Sequence, residues 1–215
     1  MTTKIVYLVT KKSGMTDDDF VDHWTTIHAG LAQQMPVRAY WINLPSPEQR
    51  GPRPLDGFAM LKFDNWAAAK AAWDTPAGQA TANDGTLFMD SARPSVVDER
   101  RVVEPTDPEA SMIKIVYLVT KRSELSDAQF VEHWTTTHAA LAQHMPGLRA
   151  YSINLPSPEQ RGRRPLDGYA MLKFDDWAAA KAAWQTTAGK ATAQDGTRFM
   201  ASARALIVDE RKVVG

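Results

Sequence analysis

The chain repeats itself. Lys4-Ile5-Val6-Tyr7-Leu8-Val9-Thr10-Lys11 recurs as Lys114 to Lys121, and Asn43-Leu44-Pro45-Ser46-Pro47-Glu48-Gln49-Arg50-Gly51 recurs as Asn154 to Gly162. The offset is 110 residues up to Pro36 and 111 after it, one residue being gained near Gly147. Roughly three positions in four are identical between the copies, far beyond chance. A period this long suits a whole small domain and is too long for a solenoid unit. The sequence divides into a first copy over 1–104, a linker over 105–112 and a second copy over 113–215. The linker reading rests on Pro105, Asp107, Pro108 and Glu109, which break rather than build an element.

Within one copy, Ile5 to Thr10 is short, apolar and β-branched and reads as a strand. Thr16 followed by Asp17, Asp18 and Asp19 reads as a helix N-cap with acids in the first turn. Phe20, Trp24, Ile27, Leu31 and Met35 follow at helical spacing until Pro36. A second strand covers 38–44, a breaker-rich loop 45–54 and a third strand 58–63. Trp66 to Trp73 reads as an Ala-rich helix, with more helical turns expected over 77–92, and 96–103 reads as the last strand. The order β-α-β-β-α-β is the ferredoxin-like unit of an α+β fold. Helices cover one face of such a sheet and leave the other open, so the two copies are expected to pack sheet to sheet as an intrachain α+β barrel with helices outside.

Composition excludes several kinds of function. Twenty-five Lys and Arg balance twenty-five Asp and Glu, so nothing attracts nucleic acid or an anionic membrane over long range. There is no cysteine, which removes disulfides and thiolate chemistry and suits the cytoplasm. No apolar run is long enough to cross a bilayer, and no P-loop, Rossmann turn or nucleophile elbow is present.

The residues that can carry chemistry centre on the first long helix. By helical count His28 lies about 70° from the centre of the apolar stripe, at the edge of the buried face. There it could act as an acid or base near neutral pH; the competing reading is a histidine that only holds the helix in place. His138 is its copy. His23 and His133 precede them by five residues, about 140° around an α-helix, so one metal could not bridge the pair and no metal site is expected. They read as packing or supporting residues. Tyr7 and Tyr117 on the first strand, and Tyr40, Tyr151 and Trp41 on the second, are candidates to hold a substrate, with Trp24 and Trp134 as walls. Period-two alternation puts Tyr40 and Trp41 on opposite sides but does not say which side faces the helices. Asp56 and Asp167, each before a glycine, read first as turn residues and second as carboxylates that could orient a histidine. Arg50, Arg53, Arg161, Arg163 and Arg164 could draw an anionic substrate to the loop, though solvated arginines are the plainer reading.

The run from Phe20 through His23-Trp24 and His28 to Leu31, with Asp56-Gly57-Phe58-Ala59-Met60-Leu61 and Phe88-Met89-Asp90, resembles the EthD family. The second copy repeats it with His133-Trp134, His138, Asp167-Gly168 and Phe199-Met200. The resemblance covers nearly all of both copies. It departs at Gly30 and Ala140, where the family usually has proline, and at Ala201, which replaces the acid Asp90. The resemblance implies a dimeric α+β barrel, here fused into one chain, that handles small molecules in catabolism or secondary metabolism.

The expected function is cofactor-independent acid–base chemistry (isomerisation, dehydration or cyclisation) on a hydrophobic, oxygenated substrate, with His28 and His138 as the acid–base groups. A binding or scaffold protein of the same fold, or a cofactor-free oxygenase, would use the same residues. Further assembly of the fused chain stays open. Trp41 becomes Ser152, Ile27 Thr137, Phe58 Tyr169, Gln34 His144 and Leu87 Arg198, so the second pocket is expected to be the more polar one if these side chains point inward.

Overall fold

The computed structural model describes residues 2–49, 52–107, 110–160 and 164–215. Arg50, Arg161 and Arg163 lie outside them. Each copy gives strand, broken helix, strand, strand, two helices, strand. The first copy runs β1 (Thr3–Lys11), α1 (Asp17–His23), a π-helical segment (Trp24–His28), α2 (Ala29–Ala32), β2 (Ala39–Pro45), β3 (Gly57–Phe63), α3 (Trp66–Asp74), α4 (Pro76–Phe88) and β4 (Met89–Val103). The second runs β5 (Ile113–Lys121), α5 (Asp127–His133), a π-helical segment (Trp134–His138), α6 (Ala139–Ala142), β6 (Leu148–Pro156), β7 (Gly168–Phe174), α7 (Trp177–Gln185), α8 (Thr187–Phe199) and β8 (Met200–Val214).

The local signals have local causes. Thr16 Oγ1 accepts from the Asp19 amide, closing the first turn of α1. Asn65 caps α3 in the same way, and Thr75 caps α4 with Pro76 in its first turn. The last strand starts seven residues before the expected Val96. Its charges and Pro94 disguise a strand whose first part is half exposed.

That extra length closes the barrel. The strand order is β1-β3-β2-β8-β5-β7-β6-β4, every recorded pairing is antiparallel, and β4 returns to β1. β4 pairs with β1 from Met89 to Val97 and then with β6 of the other copy from Val97 to Val103. β8 does the same with β5 and β2. Each final strand thus belongs to both halves, and neither half keeps a free sheet edge at these junctions.

The sheet has two faces with different jobs. Val6, Leu8, Phe58 and Met60 point into the barrel and meet Val116, Leu118, Tyr169 and Met171. Ile5, Val9, Tyr40, Ile42, Leu61 and Phe63 point outward and carry the helices, and the second copy repeats this core. Trp24 is fully buried and sets the helix against the sheet. A side chain at Gly57 would approach Trp24 Cζ3 to 2.7 Å and Asn43 O to 2.9 Å. That close approach explains the glycine after Asp56 and, with Gly168 against Trp134, the same dipeptide in the second copy. Among the described residues no helix is long and apolar enough to cross a membrane.

Candidate functional site

The decisive local feature is the π segment. Residues five apart share a side where hydrogen bonds run i to i+5, so His23 and His28 do not diverge as an α-helix would require. Both turn to one carboxylate on α4. His23 Nε2 lies 3.0 Å from Asp84 Oδ1, and His28 Nδ1 lies 2.8 Å from Asp84 Oδ2. The expected 140° separation is therefore wrong, and its cause is the change of helical period. Thr25 and Thr26 donate their hydroxyls to the carbonyls of Val21 and Asp22 within the same stretch, a bonding pattern that bends helices. The second copy matches: His133 Nε2 is 3.1 Å and His138 Nδ1 3.0 Å from Asp195.

An ionised carboxylate only accepts, so the His28 nitrogen facing Asp84 carries the proton. The other nitrogen, Nε2, then presents its lone pair and has no partner among the described residues. Burial holds the His28 pKa below its usual value, partly countered by Asp84, and the same balance holds for His138. The ring is thus neutral at neutral pH. Phe88 packs against both His23 and His28 and fixes their planes.

His28 borders a cavity of about 460 Å³ between sheet and helices. Tyr7, Tyr40 and Trp73 share its wall, with Val9, Leu61 and Met89 as apolar surface and Asp90 at the edge. Trp24 Nε1 donates to the Tyr40 hydroxyl at 3.0 Å. An indole can only donate, so the Tyr40 oxygen is the acceptor and its own O–H remains to be given. Burial pushes the Tyr7 and Tyr40 hydroxyls well above their usual pKa, so both are neutral donors. The second cavity measures about 400 Å³ and is bordered by Tyr117, His138, Tyr151 and Trp184. Trp134 donates to Tyr151, burial pushes the Tyr117 hydroxyl up to about 12, and the Trp184 N–H is buried with no partner among the described residues.

Several expected residues lie elsewhere. Trp41 is on the barrel side of β2, packed with the lumen residues, and does not reach the histidine cavity because Tyr40 holds the helix-facing register. Trp24 and Trp134 do not border the cavities; each supports a cavity tyrosine from behind. Asp56 orients no histidine: it accepts from the Lys11 amide at 2.9 Å and from Arg53. Asp167 likewise accepts from the Lys121 amide and pairs with Arg164. Arg53 and Arg164 are engaged with Asp17 and Asp127. The acid that serves the histidines is Asp84, which the sequence reading missed. Its signal was an aspartate followed by glycine at the same place of one helix in both copies, Asp84-Gly85 and Asp195-Gly196.

The second pocket is not the more polar one. Ile27 and Leu87 are exposed, Gln34 and His144 are exposed, and Trp41, Ser152, Phe58 and Tyr169 face the barrel. Among the described lining residues the cavities differ in identity at one place, Asp90 against Ala201. No group of three or more His, Asp or Glu suited to a metal occurs among the described residues.

A family model described as the EthD domain matches residues 12–92 and again 122–203. No curated protein sequence matches the chain. An anthrone oxidase-like protein of known structure is similar over 99% of this chain and 93% of its own, with a TM-score of 0.69 at 11% identity. A provisionally assigned monooxygenase from Fusobacterium nucleatum covers 98% of this chain and 93% of its own at a TM-score of 0.67 and 8% identity. These two likenesses are of fold. An EthD family protein from Bacillus halodurans, 26% identical with a TM-score of 0.40, spans 45% of this chain and 95% of its own, the size of one copy.

Proposed function

The chain belongs to the EthD domain family, in two copies, and we propose that each copy catalyses proton transfer on a hydrophobic, oxygenated small molecule without a tightly bound cofactor. One observation carries this reading. His28 Nδ1 is tied to buried Asp84, while Nε2 is left open beside a cavity walled by apolar groups and tyrosines. A neutral imidazole held in one tautomer by a carboxylate is a competent general base.

The reaction follows from the lining. Nε2 takes a proton from a carbon next to a carbonyl, and the C–H electron pair moves onto the carbonyl oxygen as an enolate. The Tyr7 and Tyr40 hydroxyls, kept protonated by burial, are suited to donate to that oxygen. The imidazolium, steadied by Asp84, returns the proton at a second atom, which yields isomerisation, or dehydration where a hydroxide equivalent leaves. A small apolar cavity strengthens these interactions by excluding water. His138, Asp195, Tyr117 and Tyr151 play the same parts in the second copy.

The test is turnover of cyclic enolisable ketones and lactones by the protein and by the His28→Ala, His138→Ala double variant, with dioxygen uptake followed in parallel. Loss of turnover with retained ligand binding supports the reading. Unchanged turnover sinks the acid–base role, binding without turnover in the parent chain makes it a binding protein, and histidine-dependent dioxygen uptake makes it an oxygenase.

A further inference from the structure

A third cavity, of about 650 Å³, lies at one end of the barrel lumen; of the residues used in the chemistry above it touches Tyr151 and neither histidine. Its charged wall draws equivalent lysines and glutamates from both copies, Lys4 with Lys114, Lys62 with Lys173 and Glu99 with Glu210, so both copies build this one cavity. Each copy contributes a glutamate held between two lysines. Glu99 accepts from Lys4 at 2.6 Å and from Lys62 at 3.1 Å. Glu210 pairs with Lys114 and accepts from Lys173 at 2.7 Å. Lys4 also donates to Asn154 Oδ1 at 2.8 Å and Lys114 to Asn43 Oδ1 at 3.0 Å, so each ammonium crosses to the other copy.

This arrangement leaves positive charge unbalanced. Each triad has two ammonium groups and one carboxylate. In formal charge the other cations of the described lining, Arg101 and Lys212, are balanced by its other anions, Glu104 and Asp209, of which Glu104 pairs directly with Arg101. The two triads thus put two surplus positive charges in one enclosed space. Lys4 and Lys114 are almost wholly buried; burial holds the pKa of each below its usual value, and Lys4 adds to that depression at Lys114. Buried like charges are costly unless something compensates them. The wall also carries apolar surface, from Trp41, Met60 and Met171, and the linker residues Pro105 and Met112 border the opening.

We propose that this cavity binds one small organic dianion, a short dicarboxylate, between the two Lys–Glu–Lys triads, with its carbon chain against Trp41 and the two methionines. Charge count sets the valence, the volume sets the size, and the wall favours a ligand with an apolar middle over a bare ion.

Calorimetric titration of the full chain with succinate, neutral succinamide and inorganic phosphate at low salt tests it. Succinate is expected to bind once per chain, more weakly as salt rises, and to change Trp41 emission in a manner lost in Trp41→Phe. Succinamide should not bind, and phosphate should bind at least tenfold more weakly than succinate. The Lys62→Met, Lys173→Met double variant removes the surplus charge and leaves the buried pairs Lys4–Glu99 and Lys114–Glu210; it should lose at least tenfold in affinity. Asp209→Asn should bind several-fold tighter, and this opposite sign separates electrostatic recognition from general loss of fold. Binding of two succinates per chain, loss of binding in the His28→Ala, His138→Ala variant, equal binding of succinamide or phosphate, or no succinate binding at millimolar concentration would each overturn the proposal.

Discussion

Among the described residues bordering the two histidine cavities, Asp90 and Ala201 form the one pair that differs in identity. The barrel lumen between those cavities holds Trp41 where the other copy has Ser152, and Phe58 where the other has Tyr169. The outward face of each sheet has changed little between the copies, with Val96 of one outer core standing as Ile207 in the other, while the inward face has exchanged large and polar side chains. Geometry gives a reason. A lumen residue in a homodimer of one module shares the space with its own copy, so a large side chain must be accommodated twice. Fusion lifts that restriction, and a tryptophan can be balanced by a serine. The cavities outside the barrel never meet each other, so fusion alone gives them no cause to diverge. One cost of the asymmetry is visible. Asn154 Nδ2 lies 3.3 Å from Ser152 Oγ, whereas Asn43 Nδ2, with Trp41 in the serine's place, is buried with no partner among the described residues.

Four experiments break or sharpen this comparison. If the cavities are equivalent, His28→Ala and His138→Ala should each remove about half of the turnover, and together they should lower it by about 10²- to 10⁴-fold. In each single variant the acid limb of kcat/KM should fall below pH 6.5, because burial lowers the pKa of the remaining histidine and the base is the neutral form. An acid limb above that value, or a single variant that abolishes activity, would end the equivalence.

The lumen should dominate the response to acid. Burial pushes Glu99 and Glu210 up, but the pull of Lys4 and Lys62 on one, and of Lys114 and Lys173 on the other, outweighs it and holds both at about 2. Their folded pKa values lie below the ordinary 4.5, so the stability they add is complete above about pH 4.5 and is lost as pH falls toward 2. Urea midpoints measured across that window should fall steeply, and Glu99→Gln, Glu210→Gln should flatten the slope.

Gly57→Ala and Gly168→Ala should each cost about 1–3 kcal/mol of stability by overpacking, with near-equal losses, since both press on a tryptophan at 2.6–2.7 Å. Chemical denaturation reads this directly. The smallest effect concerns the one lining difference. Asp90→Ala should make the first cavity behave as the second, changing kcat/KM for a cationic ligand by about fivefold or less, as suits an exposed charge; Ala201→Asp should do the reverse. Titration of each variant with a matched pair of neutral and cationic ligands would show it.

Much of this fold was legible in the residues. The repeat, the β-α-β-β-α-β order, the Thr16 cap and the two-copy barrel follow from identity, period and turn chemistry. The site was legible only in part, and each gap has a physical cause. Counting at 100° per residue separated His23 from His28, because nothing in the apolar spacing announces a switch to i to i+5 bonding. Asp84 stayed hidden because an acid on a helix is ordinarily a solvated one. Trp41 was grouped with Tyr40 because alternation gives two sides without saying which is outward. Asp56 beside glycine read first as a turn residue and only second as a histidine partner; its real partners are a backbone amide and Arg53, neither of which leaves a mark in the pattern.

The strands that serve both halves also impose a schedule on synthesis. The outer edge of β2 pairs with β8 from Pro45↔Val208 to Tyr40↔Val214, so it waits for a strand made more than about 160 residues after it. At about 5–20 residues per second, that edge stays open for many seconds on the ribosome. β4, by contrast, finds β6 roughly fifty residues after its own synthesis. The two seams of the barrel are equivalent once formed, but one is the more exposed to pairing with another chain while it waits.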